Sequence, residues 1–384
     1  MPGLTSMDDF IAKVSVNNQL IRTDWNKNFN PTTAAVAGEW HSMFRGAGNP
    51  GADAILNTGT ALTWQQLKDT TTNATGIQHG GDVSPNYKQL VNASAFSAAA
   101  TTMPAIALLV DFLGFYRVTA VTTTTAQNTT NTLVAFSTFT ADDTTDIVTH
   151  TNINLLPYSR VQVSTTTTLP AGLSAATNYF WIKLTDTTGK LATSYVNAVA
   201  GTAINITSTG TGTHTINTLL PRYTNGAGVQ ALFLNSNATP LGAGTPNLSL
   251  SYTNQAGTAG KSTPTVLPIG KTAASNSLVL YSGTGAGKYG PAMPLAAGDS
   301  GILSVESIQN STSYVTGEYS VVLYKPICSL PMTTIGVAAE RDLMNQVPSL
   351  PRIYDGACLT WLLYSGAATP ASSSFFGHLD FVYS

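Results

Sequence analysis

The stretch "AIALLVDFLGFYRV", Ala105 to Val118, decides the fold. It carries Val, Leu, Ile, Phe and Tyr on consecutive positions, so neither the 3.6-residue period of an amphipathic helix nor strict alternation is visible. The longest apolar run around it, Met103 to Tyr116, is broken by Asp111 and is too short to span a bilayer as a helix. A strand covered on both faces accounts for the continuous run.

Working outward, segments of the same kind recur between Gly, Pro and Asn clusters. "GVQALFLN" (Gly228 to Asn235), "NLSLSYTN" (Asn247 to Asn254), "NSLVLYSG" (Asn276 to Gly283), "GILSVESIQ" (Gly301 to Gln309), "GEYSVVLYKPI" (Gly317 to Ile327), "CLTWLLYS" (Cys358 to Ser365) and the closing "FGHLDFVYS" all read as strands. Eight strands of this length, several apolar on both faces, predict a mainly β protein built as a jelly-roll-like β-sandwich.

A different texture separates Phe115-Tyr116-Arg117 from Pro221-Arg222-Tyr223. Residues 119–218 are denser in Thr and poorer in long apolar runs, and they contain "TTTTLPAGLSAATNYFWI" (Thr165 to Ile182) and "GTAINITSTGTGTHTI" (Gly201 to Ile216). The flanks read as neighbouring strand ends whose connecting turn has been opened. A domain is tolerated at such a loop tip because both of its ends lie close together there. Inside the segment, apolar and polar residues alternate from Asp146 to Leu173 and from Asn178 to Val199, with turns at Pro157, Pro170-Ala171-Gly172 and Thr188-Gly189. The expected division is therefore residues 1–100 as an amino-terminal arm and first part of the main domain, 101–118 plus 219–384 as the sandwich, and 119–218 as an inserted small β-domain.

Composition narrows the function. Charged residues make up 9% of the chain, against about 25% in an ordinary soluble domain, and the formal net charge is -2. The surface is polar but nearly uncharged, and no basic run suggests nucleic acid or an anionic membrane as a partner. The first twenty residues carry acids where a signal peptide has Lys or Arg, so Sec-dependent export is not expected. Cys328 and Cys358 show no metal-ligand spacing and read as buried thiols of a reducing compartment.

At the amino terminus, "SMDDF" offers Ser6 as N-cap and Asp9 three residues on, and Phe10, Ile11 and Val14 then share one helical face. Trp25 and Phe29 extend the apolar surface at a spacing of four. These five residues form either a docking stripe or the packing face of the arm on its own domain. Asn30 to Gly51 fits a helix from Pro31 or a strand around Trp40 to Phe44, and "TWQQLKD" from Thr63 reads as one or two helical turns.

Motifs that suggest chemistry have simpler explanations. "GDSG", Gly298 to Gly301, resembles a serine-nucleophile loop with His41, His79, His150 and His214 upstream, but Asp and Ser bonding their own backbone before Gly make an ordinary turn. "SGTGAGKYG" lacks the first Gly, the Ser/Thr and the helix of a phosphate loop. Asp142, Asp143 and Asp146 lack the distal Glu and Gly-punctuated loop of a calcium site. Glu340-Arg341-Asp342 suits a short surface helix or an interface ion pair. No catalytic residue, cofactor or metal is expected.

"LPAGLSAATNYFWI", "GKLATS" and "GTAINITSTGTGTHTI" resemble a β-module that recurs within structural proteins of tailed bacteriophages. The flanking "LLVDFLGFYR", "LPRYTNGAGVQALFL", "LSLSYTNQAGTAGKSTP", "GPAMPLAAGDSGILSVESI" and "LPRIYDGACLTWLL" are similar to a family of virion proteins encoded among capsid genes. The resemblance implies a capsid decoration (cement) protein on the capsid exterior, assembled in the host cytoplasm, binding the major capsid protein and its own copies as a homotrimer. The alternative is a tail-fibre or receptor-binding adhesin, whose insert would present Tyr179 and Trp181 to a host-surface glycan. A polysaccharide hydrolase needs a carboxylate pair across a cleft, and nothing in the sequence points to one.

Overall fold

Ile106–Val118 is a single strand, and over nearly its whole length it pairs antiparallel with Tyr319–Pro331. The register shifts at Leu323/Tyr324 and Pro326/Cys328, where bulges add twist and re-aim side chains. These two strands form the spine of a central sheet in the order Gln230–Asn235, Tyr319–Pro331, Ile106–Val118, Leu359–Ser365, Glu39–Ser42. The computed structural model describes residues 4, 6–29, 37–69, 76–98, 105–235, 241–242, 244, 246–264, 279, 290–346, 349–367 and 373–384.

Two further sheets stack on one face of the central sheet, each over a different half of the spine. One contains, in order, Ala339–Asp342, Lys88–Ser97, Ser374–Tyr383, Leu20–Asn28 and Gly48–Asn49. It buries Trp25, Leu90, Phe375 and Phe381 against Leu109, Leu330 and Trp361. The other contains Lys261–Ser262, Leu248–Asn254, Ile302–Asn310 and Gln127–Asn128, and it packs Leu250, Tyr252 and Val305 on Leu113, Tyr116 and Phe233. The opposite face of the spine, with Val110, Phe112, Phe115 and Tyr324, is covered by Phe44, Leu56 and Leu67. Both faces of the 106–118 strand are thus buried, which is why its sequence is continuously apolar. The chain is mainly β, with sandwich packing, a short amino-terminal helix and an inserted β-domain.

The insert is a closed barrel. Arg160–Thr165, Tyr179–Lys183, Thr188–Ala192, Val148–His150, Val134–Ala141 and His214–Thr218 follow one another around it, enclosing Val161, Val163, Trp181, Leu191 and Ile216. Val134 and Thr218 are register partners, so the barrel enters and leaves through adjacent residues. Its first strand begins fifteen residues after the expected boundary at 119. The intervening segment belongs to the main body, because Gln127 and Asn128 pair with Ile308 and Ser307. The Thr-Gly stretches close the barrel on each other: Thr165 pairs with His214, and Thr168 bridges Thr211. Gly210 and Gly212 have φ of +70° and +87°, and a Cβ on Gly210 would sit 2.6 Å from the Thr168 carbonyl oxygen, so this turn requires glycine.

Several local expectations are corrected. Gln65–Gln66 is a strand on Ile106–Val118, not a helical turn, since Trp64 and Leu67 are drawn into the core on either side of it. Trp40 lies in the strand Glu39–Ser42, which settles the alternatives there. Tyr195–Val199 is a helix capped by Ser194 rather than a continuation of alternating strand. Glu340, Arg341 and Asp342 lie in an edge strand paired with Lys88–Ser97, and the helix begins only at Leu343. Of the expected strand Asn276 to Gly283, only Val279 is described; it bridges Leu234 and donates its N–H to the Trp40 carbonyl. The "SGTGAGKYG" segment lies outside the described residues except for Gly290.

Candidate functional site

The amino-terminal stripe divides in two. Met7–Ile11 is helical, and the Ser6 hydroxyl accepts the Asp9 N–H at 3.0 Å, the cap that the sequence implies. Phe10 and Val14, with Met7 and Leu20, line a groove of about 500 Å³ against Val91 and Met344 of the main body. Ile11 is 52% exposed, and Met7, Val16 and Leu20 are exposed beside it. The helix therefore packs partly on its own domain and leaves an aliphatic edge in solvent.

Trp25 and Phe29 are not part of that edge. Leu20–Asn28 is a strand hydrogen-bonded to Ser374–Tyr383, so Trp25 and Phe29 fall on its inner side, 3% and 1% exposed. Trp25 packs on Trp361 at 5.4 Å between ring centroids, and Phe29 meets His41 and Phe375 edge-on. They are core residues and are unavailable to a partner. Tyr179 and Trp181 are corrected likewise: both are interior to the barrel, and the Tyr179 hydroxyl accepts the Ser174 N–H at 2.7 Å.

The motifs with catalytic appearance are structural in the geometry. Asp299 accepts the Tyr252 hydroxyl and the Asn254 amide, each at 2.7 Å, while the Ser300 and Gly301 N–H groups donate to Gln255. Three of the histidines are engaged elsewhere, His41 with Glu39, His79 with Lys88 and the Ala357 carbonyl, His214 with Thr165 and Thr209, and the buried His150 packs edge-on to Trp181. Asp142 caps the N–H groups of Thr144 and Thr145, and Asp146 accepts the Ile206 N–H, so two of the three calcium-like carboxylates are spent on backbone. Both cysteines are buried, and burial pushes the Cys328 thiol up to about 12, which leaves it unreactive.

Two buried polar networks were not legible in the sequence. Arg222, just past the barrel, donates to both oxygens of Asp111 at 2.8 and 2.7 Å and to the carbonyls of Leu67 and Phe112; the Cys358 N–H completes Asp111. The Asp that interrupts the longest apolar run is thus the anchor for the insert's exit. Near the other end of the body, Lys88 donates to His79 Nδ1 at 3.0 Å and lies 3.5 Å from Asp355. Burial pushes Asp69 and Asp355 up to about 6, and burial pushes His79 down to about 3. The network braces the loop carrying Gly81, whose carbonyl accepts from Lys88.

The barrel is tied to the body through Tyr87 to Asp186, Arg352 to Asn154, Arg160 to Ser304 and the paired hydroxyls of Ser159 and Thr224. Arg352 also lies over the rings of Tyr87 and Tyr354, at 3.7 and 4.4 Å from their centroids.

No protein-family model and no curated protein matches the chain. Among solved structures, a chain of "Infectious Bursal Virus Derived T=1 Particles" is similar at 9% identity with a TM-score of 0.17, over 97% of this chain and 82% of that one. A superposition of that quality carries no argument about fold or role.

Proposed function

We propose that the protein is a non-enzymatic structural component of a bacteriophage virion that decorates and stabilises the capsid exterior. It acts through contacts with the major capsid protein and with its own copies in a trimer. The observation that carries this reading is the helix Met7–Ile11, whose exposed aliphatic edge continues through Val16 and Leu20 on a body with few charges. Interface cores are depleted in charge, and burying each such side chain is worth roughly 1.5 to 3 kcal/mol. Three copies of the edge in one complex would multiply a modest contact. The likeness of the strand and turn motifs to phage virion proteins supports the same reading.

The decisive measurement is copy number: the chain quantified against the major capsid protein in purified virions. Hundreds of copies support decoration, whereas a handful places the protein in the tail and refutes it. Light scattering that shows a stable monomer refutes the trimer. The adhesin alternative loses the residues first offered for it, since Tyr179 and Trp181 are interior.

A further inference from the structure

Lys88 opens the strand Lys88–Ser97, and its side chain is wholly withdrawn from solvent. Its register partner across the sheet is Ile353, and Asp355 follows two residues later. Three acceptors surround Lys88 Nζ: His79 Nδ1 at 3.0 Å, the Gly81 carbonyl, and Asp355 Oδ1 at 3.5 Å. The His79 proton sits on Nε2, because that nitrogen faces the Ala357 carbonyl at 3.1 Å, so Nδ1 can only accept. As a neutral amine, Lys88 would give its two N–H groups to His79 and Gly81. Its lone pair then turns toward the third partner, the Asp355 carboxyl.

That carboxyl is prepared for attack. Asp355 and Asp82 hydrogen bond to each other through their side chains, which two carboxyl groups can do only by sharing a proton. Burial and the Asp82 contact push Asp355 up to about 6, while the same contact and the Ser84 N–H push Asp82 down, so the proton resides on Asp355. Burial lowers the Lys88 ammonium as well, which favours the nucleophilic free amine. The Val83 N–H donates to Asp355 Oδ1 at 3.1 Å, where negative charge develops when the carboxyl carbon is attacked. A plain ion pair would have a charged lysine beside two ionised carboxylates; burial opposes the first, and the shared proton opposes the second.

We propose that Lys88 Nζ and Asp355 Cγ join in an intramolecular isopeptide bond, with Asp82 as the carboxyl that moves the protons. Lys88 passes one proton to Asp82, and the free amine attacks the protonated Asp355 carboxyl to form the Nζ–Cγ bond. Asp82 gives its proton to the departing Asp355 hydroxyl as the Cγ–O bond breaks, then takes up the second amine proton. One water leaves, nothing is oxidised or reduced, and no co-reactant enters. Fixed proximity of the two groups supplies what an activating reagent supplies in solution. The bond staples the sheet that contains Lys88–Ser97 to the turn leading into Leu359–Ser365 of the central sheet. It goes beyond the decoration role and does not depend on it.

The test is mass spectrometry of the denatured full chain, freshly purified and again after incubation to constant mass. The chain should be lighter than its sequence by one water, and trypsin should release residues 69–117, uncut at Lys88, joined to residues 353–384. A chain of full mass overturns the inference. So does a lost water confined to 353–384 with normal cleavage after Lys88, since that is ring closure at Asp355-Gly356. Lys88→Arg and Asp355→Ala should keep the full mass, and a lost water that persists in either one refutes the assignment. Asp82→Asn should slow the joining by about a hundredfold or more, the scale of a lost general acid and base, with the β-rich circular dichroism spectrum unchanged. Joining as fast as in the parent would remove Asp82 from the mechanism.

Discussion

Replacing Asp111 by Ala removes a carboxylate that accepts three hydrogen bonds, from Arg222 Nε and Nη2 and from the Cys358 N–H. Two of these are charge-assisted, and both partners are essentially without solvent, at 0% and 2% side-chain exposure. The guanidinium is left with only the carbonyls of Leu67 and Phe112. Stranding a buried charge in this way costs roughly 3 to 5 kcal/mol. Asp111→Leu combined with Arg222→Met removes both charges and fills the space, and it should cost less than Asp111→Ala alone, with the Cys358 N–H as the main loss at about 1 kcal/mol. Urea unfolding followed by tryptophan fluorescence, arranged as a double-mutant cycle, gives the coupling directly. A cost below about 1 kcal/mol for Asp111→Ala, or additive effects of the two substitutions, would refute the idea that this pair anchors the exit of the barrel.

Four shorter predictions follow from the same geometry. Removing residues 1–18 should leave a folded body with weakened capsid binding, whereas Trp25→Ala should cost roughly 3 to 5 kcal/mol as a core truncation; full decoration by the shortened chain, or a silent Trp25→Ala, contradicts the division of the stripe. The isolated barrel, residues 133–219, should melt cooperatively with a β-rich circular dichroism spectrum, because it has its own core; a featureless melt contradicts this. Burial lifts the Asp69 carboxyl from 3.8 to about 6, so its contribution to stability is full below pH 4 and is lost as the pH rises through 6. Asp69→Asn should flatten that decline, and an unchanged pH profile counts against the assignment. Ser300→Ala should change stability by no more than about 1 kcal/mol, and a labelled adduct with an active-site serine probe would overturn the turn reading.

Strands buried on two faces announced themselves by composition, and the insert was visible as a change of texture, but its flanks are not neighbouring strand ends: Pro221-Arg222-Tyr223 is outside any strand, and Ile106–Val118 is flanked by Tyr319–Pro331 and Leu359–Ser365. The segment around Trp25 was misread for a definite reason. Trp25 and Phe29 are four apart, a spacing that returns to the same side both on a helix and on a strand. Only Ile21, Trp25, Lys27 and Phe29 taken together show the alternation, and Lys27 disguises it as polar. That lysine is buried with its Nζ on the carbonyls of Gly46 and Gly51, and burial pushes it down to about 8. Gln65–Gln66 failed for a related reason, since its partners Phe115 and Gly114 lie some fifty residues away. The pairing of Asp111 with Arg222 depends on a contact that no local pattern encodes.

The two spine strands, each shared by three cores, also govern how the molecule bears force. A pull along Ile106–Val118 loads its backbone bonds to Tyr319–Pro331 and Leu359–Ser365 side by side, in shear, so they must rupture together rather than unzip in turn. Neither covering sheet can peel away without exposing its own half of the same strands. Mechanical failure in one half therefore strains the other, and the body should yield as one unit while the barrel, joined covalently at one pair of adjacent residues and otherwise held by a few polar contacts, can tear open separately.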